Sequence, residues 1–558
     1  MPSEHSNHNP AARRSDTLRE HPSYPAAWSV AAFMMVVLGA ANILLGDLNQ
    51  DEGWYLYAAL RVAEGWLPYR DFAFTQGPML PLTYGLFAPL IEIGGVGAGR
   101  IITWLLGAAS VVLAWRCAQR LGGRAAGVMA LALAGVNVYQ SYFTAVVKTY
   151  SLCAFFLMIG VYALVRWADT PTERRRAFWL VAAGCGLAAA AGTRLSTGMM
   201  LPVVGLALLF APSRWGRWSW WWFGVGGGVT LALIFLPLYR VAPDGFRFGL
   251  LEFHTLRDGG SGLASLVYKG GFISRLVQAY PVATALLLLM ALAKLLRPFS
   301  ATDSGYHQTD GFALIRILGV GVLAITLVHI AAPFPYDDYQ TPIYPVLALV
   351  LAVSWSYALR AWSGSGYRWR PEVEPADPRL AAWMVWSVVV LSGALSFASP
   401  INQDWMIAGR DRIWWNMKSK PSLVLLRETA REIKELADDG PLLTQDTYLA
   451  VEAGLHVPRG WEMGPFSYYP ELTDERADLL HLVNRRRMIE TLTGSPARVA
   501  AFSGYGLAIQ SPEVIPVPPE ELEMLFGLVR ERYAPVREVA GFGQAATTLR
   551  MYRLLETP

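Results

Sequence analysis

Apolar runs long enough to cross a bilayer recur from residue 26 to about residue 398 and then stop. A bilayer core has no water to satisfy free amides and carbonyls, so such runs cross as helices, at about 20 residues per span. Runs at 26–45, 101–115, 125–143, 150–165, 177–191, 195–210, 218–238, 279–292, 312–328, 341–359 and 380–396 read as spans, giving about 11 crossings. A chain that is 54% hydrophobic and 16% charged fits that reading. The expected fold class is a polytopic α-helical membrane protein with a C-terminal soluble α/β domain.

The stretch 77–91 is apolar but carries Pro78, Pro81 and Pro89, which remove helix donors. The positive-inside rule decides its role. If 77–91 does not cross, Arg13, Arg14 and Arg19 fall on one side with Arg116, Arg120, Arg124, Arg166, Arg174–Arg176, Arg214, Arg217, Lys294, Arg297, Arg368 and Arg370. If it crosses, most of these arginines move outside. The first option is adopted. It gives a cytoplasmic tail (1–25), a membrane domain (26–398) with 77–91 lying on the outer face, and an extracytoplasmic domain (399–558). Cys117, Cys153 and Cys185 lie in or beside predicted spans and form neither a disulfide framework nor a CxxC site. The formal charge of +4 is small, and no nucleic-acid partner is expected.

In the soluble region, 423–437 has helical periodicity, and 441–446, 497–503 and 537–554 read as strands, the last turning at Gly541-Phe542-Gly543. The aromatic, Gly- and Pro-rich stretch 456–470 reads as a structural loop, with a binding loop as the alternative. Trp215, Trp218 and Trp220–Trp222 mark a cytoplasmic aromatic belt.

The sequence has no P-loop, GxSxG elbow, HExxH or His/Cys cluster. This topology gathers acids, cations and aromatics from five loops at the outer ends of spans, and the short basic cytoplasmic loops hold no such mixture. That set suits group transfer from a lipid phosphate: a carboxylate takes the proton of an attacking hydroxyl, and Arg or Lys neutralises the leaving group. Asp51 follows the first span and shares a helix face with Tyr55, while Glu52 lies about 100° around the helix. Asp51 has two open readings, catalytic base or N-cap. Arg194 sits in a tight outer turn and either binds phosphate or snorkels; Lys148 has the same pair of readings. His254, Arg257 and Asp258 lie in a long outer loop with a Gly-rich run, either a lid or a solvated segment. Asp337 and Asp338 either bind a divalent cation or are solvated at a span entrance; the second reading is adopted, and no metal or cofactor is expected.

Asp51-Glu52-Gly53-Trp54-Tyr55, then Gly65-Trp66-Leu67-Pro68-Tyr69-Arg70-Asp71, Gln76-Gly77-Pro78, and Tyr336-Asp337-Asp338-Tyr339-Gln340-Thr341-Pro342 together resemble the GT-C superfamily. The chain is most similar to its polyprenyl-phosphate-sugar transferases, the group of protein O-mannosyltransferases and the lipid A aminoarabinose transferase. The resemblance implies an inverting transfer at the outer membrane face with Asp51 as base, and it includes Glu52 in the catalytic pair. It implies a polyprenyl-phosphate-linked sugar donor and a lipid, glycan or protein acceptor, in contact with membrane lipids. Tyr55, Arg70, Asp71, Gln76, Lys148, Arg194, His254, Arg257, Tyr336 and Tyr339 are the expected substrate-binding residues. Gln76 stands where the family often has lysine, and Lys148 stands in a loop where many members carry an acid. The rival readings are a secondary transporter, which internal repeats would mark, and a non-catalytic membrane protein presenting an external binding domain.

Overall fold

The computed structural model describes residues 23–212, 215–255, 262–296, 310–333, 335–362, 378–398, 420–504, 507–508, 517–544 and 546–555. Helix α1 (Ser23–Leu45) is the first apolar helix, and a short turn leads from it to α2 (Gln50–Ala63). Helix α3 (Met79–Gly85) has 7 residues, about 10 Å of rise, far short of a bilayer. The stretch 77–91 therefore does not cross as one helix. It runs into α4 (Ala88–Gly122), which breaks at Gly95, where φ is 58°.

The predicted span 125–143 is two helices, α5 (Arg124–Gly135) and α6 (Val138–Ala145). Asn137 divides them: its side chain accepts the Gln140 amide at 2.8 Å and so starts a new helix. Helices α7 (Thr149–Ala168) and α8 (Glu173–Thr193) follow. The run at 195–210 becomes a 3-10 turn, Leu195–Met199, and a short α9 (Met200–Leu209). Helix α10 (Ser219–Val241) leads through α11 (Pro243–Arg247), a π-helical turn and α12 (Phe253–Thr255) to α13 (Leu263–Ala279). At Pro281 the chain bends by 100° into α14 (Pro281–Leu296), because proline has no amide to continue the ladder. Helix α15 (Asp310–Ala331), a 3-10 turn (Asp337–Ile343), α16 (Tyr344–Trp362) and α17 (Pro378–Phe397) complete the set.

Among the described residues, 8 helices are long and apolar enough to cross a membrane, or up to 9 with the bent pair. The other expected crossings are the shorter apolar helices Arg124–Gly135 and Leu195–Leu209. All the apolar runs are thus helical, but several are broken. Trp218, Trp220, Trp221 and Trp222 are exposed, as a lipid-facing belt requires. Trp215 departs from it: it is buried and donates to Asp310 at 2.6 Å.

The C-terminal region comprises α18 (Ser422–Ala437), β1 (Leu442–Leu443), α19 (Thr447–Ala453), α20 (Asp474–Leu480), α21 (Arg485–Gly494), β2 (Val499–Phe502), α22 (Pro519–Arg532), β3 (Tyr533–Phe542) and β4 (Thr547–Leu554). The sheet order is β1-β2-β4-β3, parallel at β1–β2 and antiparallel elsewhere. Gly541 and Gly543 turn the last hairpin with φ of 68° and 74°. The loop 456–470 is packed rather than free, with Trp461 fully buried.

One apolar core joins this region to α2, α3 and the start of α4. Trp54 of α2 meets Phe466 at 6.1 Å, and the Val457 amide donates to the Tyr57 hydroxyl at 3.1 Å. The Val96 amide at the α4 break donates to Glu452 at 2.9 Å, and Arg427 holds the other carboxylate oxygen at 3.0 Å. The C-terminal region thus braces both α2 and the break in α4.

Candidate catalytic centre

Helix α2 is capped by Asn49, whose side chain accepts the Asp51 amide at 3.1 Å, while Glu52 accepts the Asn49 amide at 3.0 Å. This capping box leaves the Asp51 carboxylate free of capping, so the N-cap reading of Asp51 is corrected. The Asp51 side chain is 23% exposed. One oxygen accepts the Trp54 indole at 3.2 Å and the other faces the Lys148 ammonium at 3.1 Å.

Glu52 is corrected too. Its side chain and that of Arg100 are both 0% exposed. Arg100 grips it with Nε at 2.8 Å and Nη2 at 2.6 Å, and the Val147 amide adds a contact at 3.3 Å. Arg100 also donates to the carbonyls of Gly46 at 3.0 Å and Asp47 at 2.8 Å, closing the end of α1. Glu52 is therefore a fixed anchor between α1, α2 and α4, with no open face for a substrate. Arg100 carried a readable signal, a lone cation at the edge of an apolar run, which must find an anion.

Lys148, at the start of α7, lies between two carboxylates, Asp51 and Asp338, the latter at 2.9 Å. Its ammonium also stands 5.3 Å from the rings of Phe143 and Tyr150. That charge is already matched. Asp337 is held separately by Arg275 at 2.9 Å and by the Tyr139 hydroxyl.

Arg194, following α8, is different. Among the described residues it has no carboxylate within salt-bridge distance, and its Nε has no partner. Its guanidinium lies 4.3 Å from the Tyr339 ring and 5.0 Å from the Tyr150 ring, with a 3.4 Å bond to Thr149. Tyr336 extends this aromatic wall, 5.4 Å from Tyr339. Tyr55 sits within electrostatic reach of Asp51, Arg194, Lys148 and Tyr339; burial, then the Asp51 charge, pushes its hydroxyl well up, so it remains a donor. The helix-face pairing of Asp51 with Tyr55 therefore points both at one centre.

Gln76 is half-buried near this centre. Gly77 next to it packs directly on the Gly192 carbonyl, where a methyl group would overlap. That contact presses the 76–78 segment against the end of α8, beside Arg194.

Other expected residues lie elsewhere. Arg70 and Asp71 grip each other at 2.7 Å, and the Arg70 hydrogen bond holds the Asp71 carboxyl below its usual range. They line a separate cavity beyond the far end of α2. His254 is exposed and rests against Phe253 at 5.3 Å. Arg257 lies outside the described residues. Among those described, no group of His, Cys, Asp and Glu could hold a metal ion.

Residues 75–239 match the family model described as dolichyl-phosphate-mannose-protein mannosyltransferase. ArnT from Cupriavidus metallidurans in the apo state superposes with a TM-score of 0.56 at 14% identity, covering 94% of this chain and 98% of that one. The chain has the GT-C glycosyltransferase fold. The same ArnT bound to undecaprenyl phosphate matches at 0.55 and 13% identity, over 94% of this chain and 97% of the other. The oligosaccharyltransferase of Archaeoglobus fulgidus, in complex with Zn and sulfate, shares the GT-C fold at 0.50 and 12% identity, over 93% of this chain and 72% of that one. No curated protein matches the chain by sequence. The resemblance drawn from the short motifs is thus borne out for the fold, and the family segment contains Gln76, Lys148 and Arg194.

Proposed function

We propose that the chain transfers a sugar from a polyprenyl-phosphate donor to a hydroxyl acceptor at the outer membrane face, with Asp51 as general base. The observation that carries this reading is the pairing of opposites around Tyr55. On one side stands a carboxylate fixed by Trp54 and Lys148, and on the other a guanidinium with no carboxylate partner among the described residues, walled by tyrosines. In the transfer, the acceptor oxygen attacks the anomeric carbon while Asp51 takes its proton. The bond from that carbon to the phosphate oxygen breaks, and its electron pair stays on the departing polyprenyl phosphate. A single displacement inverts the anomeric centre. Arg194 meets the added phosphate charge with bidentate geometry, which lysine does not offer. Tyr55 and Tyr339 supply hydroxyls beside it, and Lys148 holds Asp51 and Asp338 in register.

The membrane orientation belongs to the same proposal: N-terminus in the cytoplasm, C-terminal region outside. The arginine-rich short loops and the brevity of α3 support it. A reporter fused after Ser396 and active only in the cytoplasm would contradict it.

The test is transfer by purified protein from radiolabelled polyprenyl-phosphate sugars. Asp51→Asn should fold normally and lose about 10²-fold or more in turnover, the scale for a positioned base. Arg194→Ala and Arg194→Lys should weaken polyprenyl-phosphate binding. Parental turnover in Asp51→Asn removes Asp51 from the mechanism, and unchanged binding in Arg194→Ala removes the phosphate assignment.

A further inference from the structure

A cavity of about 540 Å³ opens between the Gly65–Asp71 loop and the C-terminal region, a volume suited to a small ligand. It lies past the far end of α2 from Asp51, about 18 Å along the helix from Asp51 to Ala63. Its walls include Trp66, Arg70 and Asp71 on one side and Arg459, Glu462 and His481 on the other.

Glu462 gives this cavity its chemistry. Its residue lines the cavity at 5% exposure, and its Oε2 has no hydrogen-bond partner among the described residues. A buried polar atom left this way costs about 1–3 kcal/mol and needs an explanation. Burial pushes its carboxyl up to about 7, so near neutral pH it can both donate and accept a hydrogen bond. Arg459 is exposed, has no carboxylate within salt-bridge distance among the described residues, and lies 5.3 Å from the Trp66 ring. The remaining charges cancel in pairs, Arg70 with Asp71 and Arg487 with Asp478. Burial also lowers His481, which favours its neutral form.

This leaves one free guanidinium, one amphoteric carboxyl and an indole edge. A phosphate site would show several free cations, and an apolar ligand would leave Glu462 unmet. A ring with hydroxyls that donate and accept, and apolar C–H faces, matches all three groups. We propose that this cavity is a carbohydrate-binding site, holding a pyranose through Glu462 and Arg459 against Trp66. It is separate from the transfer centre, and binding here does not require the chain to be a transferase.

The experiment is calorimetric titration of the full chain in lipid nanodiscs with methyl glucoside, methyl mannoside and methyl galactoside. Saturable binding of at least one probe is expected, with a dissociation constant on the order of 1 mM. Arg459→Ala, a surface change that leaves the fold intact, and Glu462→Ala should each weaken it about tenfold or more, as loss of a good hydrogen bond does. Asp51→Asn should bind the probe as the parent does, which separates this site from the proposed chemistry. Absence of saturation with all three probes would overturn the proposal. So would unchanged binding in Arg459→Ala, or displacement of the sugar by inorganic phosphate at lower concentration.

Discussion

Replacing Glu52 by Gln separates the two adjacent acids most sharply. The Glu52 carboxylate accepts four donors: Arg100 Nε and Nη2, the Asn49 amide and the Val147 amide. A glutamine offers one oxygen and one NH₂, so at least one oxygen site becomes a donor facing donors. Arg100 then keeps its charge at 0% exposure without its ion-pair partner. Breaking one side of such a pair costs about 3–5 kcal/mol, a large share of the 5–15 kcal/mol that holds a typical protein together. The apparent melting midpoint in detergent should fall by about 3–4 °C, because the melting entropy grows with chain length, and membrane abundance should fall with it. Arg100→Gln should behave alike. The double variant should lose less than the sum, because the two residues act as one unit. Following the midpoint by loss of the monodisperse peak on size exclusion, beside Asp51→Asn at matched abundance, is the assay. A Glu52→Gln protein that melts with the parent yet transfers no sugar would refute the anchoring role and return Glu52 to the chemistry.

Lys148→Met leaves Asp338 buried without its cation and should lower the melting midpoint; adding Asp338→Leu should recover much of that stability, since a pair replaced by apolar groups is near neutral. A double variant as unstable as the single one would contradict this. Gly77→Ala forces a methyl onto the Gly192 carbonyl and should cost about 1–3 kcal/mol, with weaker polyprenyl-phosphate binding because the segment is pressed against the end of α8; a parental melt and parental binding would contradict it. Glu462 makes stability pH-dependent. Its folded carboxyl is raised to about 7 by burial, against the pull of the Glu462 and Gly460 backbone amides and then of Arg61 and Arg459, so its contribution is full below the ordinary carboxylate range and is lost as pH rises through about 7. The gap corresponds to at most about 3 kcal/mol, and Glu462→Gln should flatten the midpoint between pH 5 and 8, as read by thermal melts across that range.

The sequence alone determined that the apolar runs are helical, that 77–91 is not one long helix and where the C-terminal strands lie, because burial period and proline are local properties of the chain. The Asp51–Tyr55 pairing was equally legible, since residues four apart share a helix face. Which acid is left partly exposed was a tertiary matter: Asn49 relieves Asp51 of capping, and Arg100 arrives from α4, 48 positions along the chain, to take Glu52. Lys148 and Asp338 meet across 190 positions, so nothing local distinguished a phosphate ligand from a carboxylate's partner. Arg70 and Asp71 read as site residues because they share a motif with Asp51, yet helix α2 carries them to its opposite end. The role of the C-terminal region was decided by packing, which brought Glu452 to the α4 break and Glu462 to the far cavity. Charges choose partners by distance in space, and spacing along a chain fixes that distance only within one helix or strand.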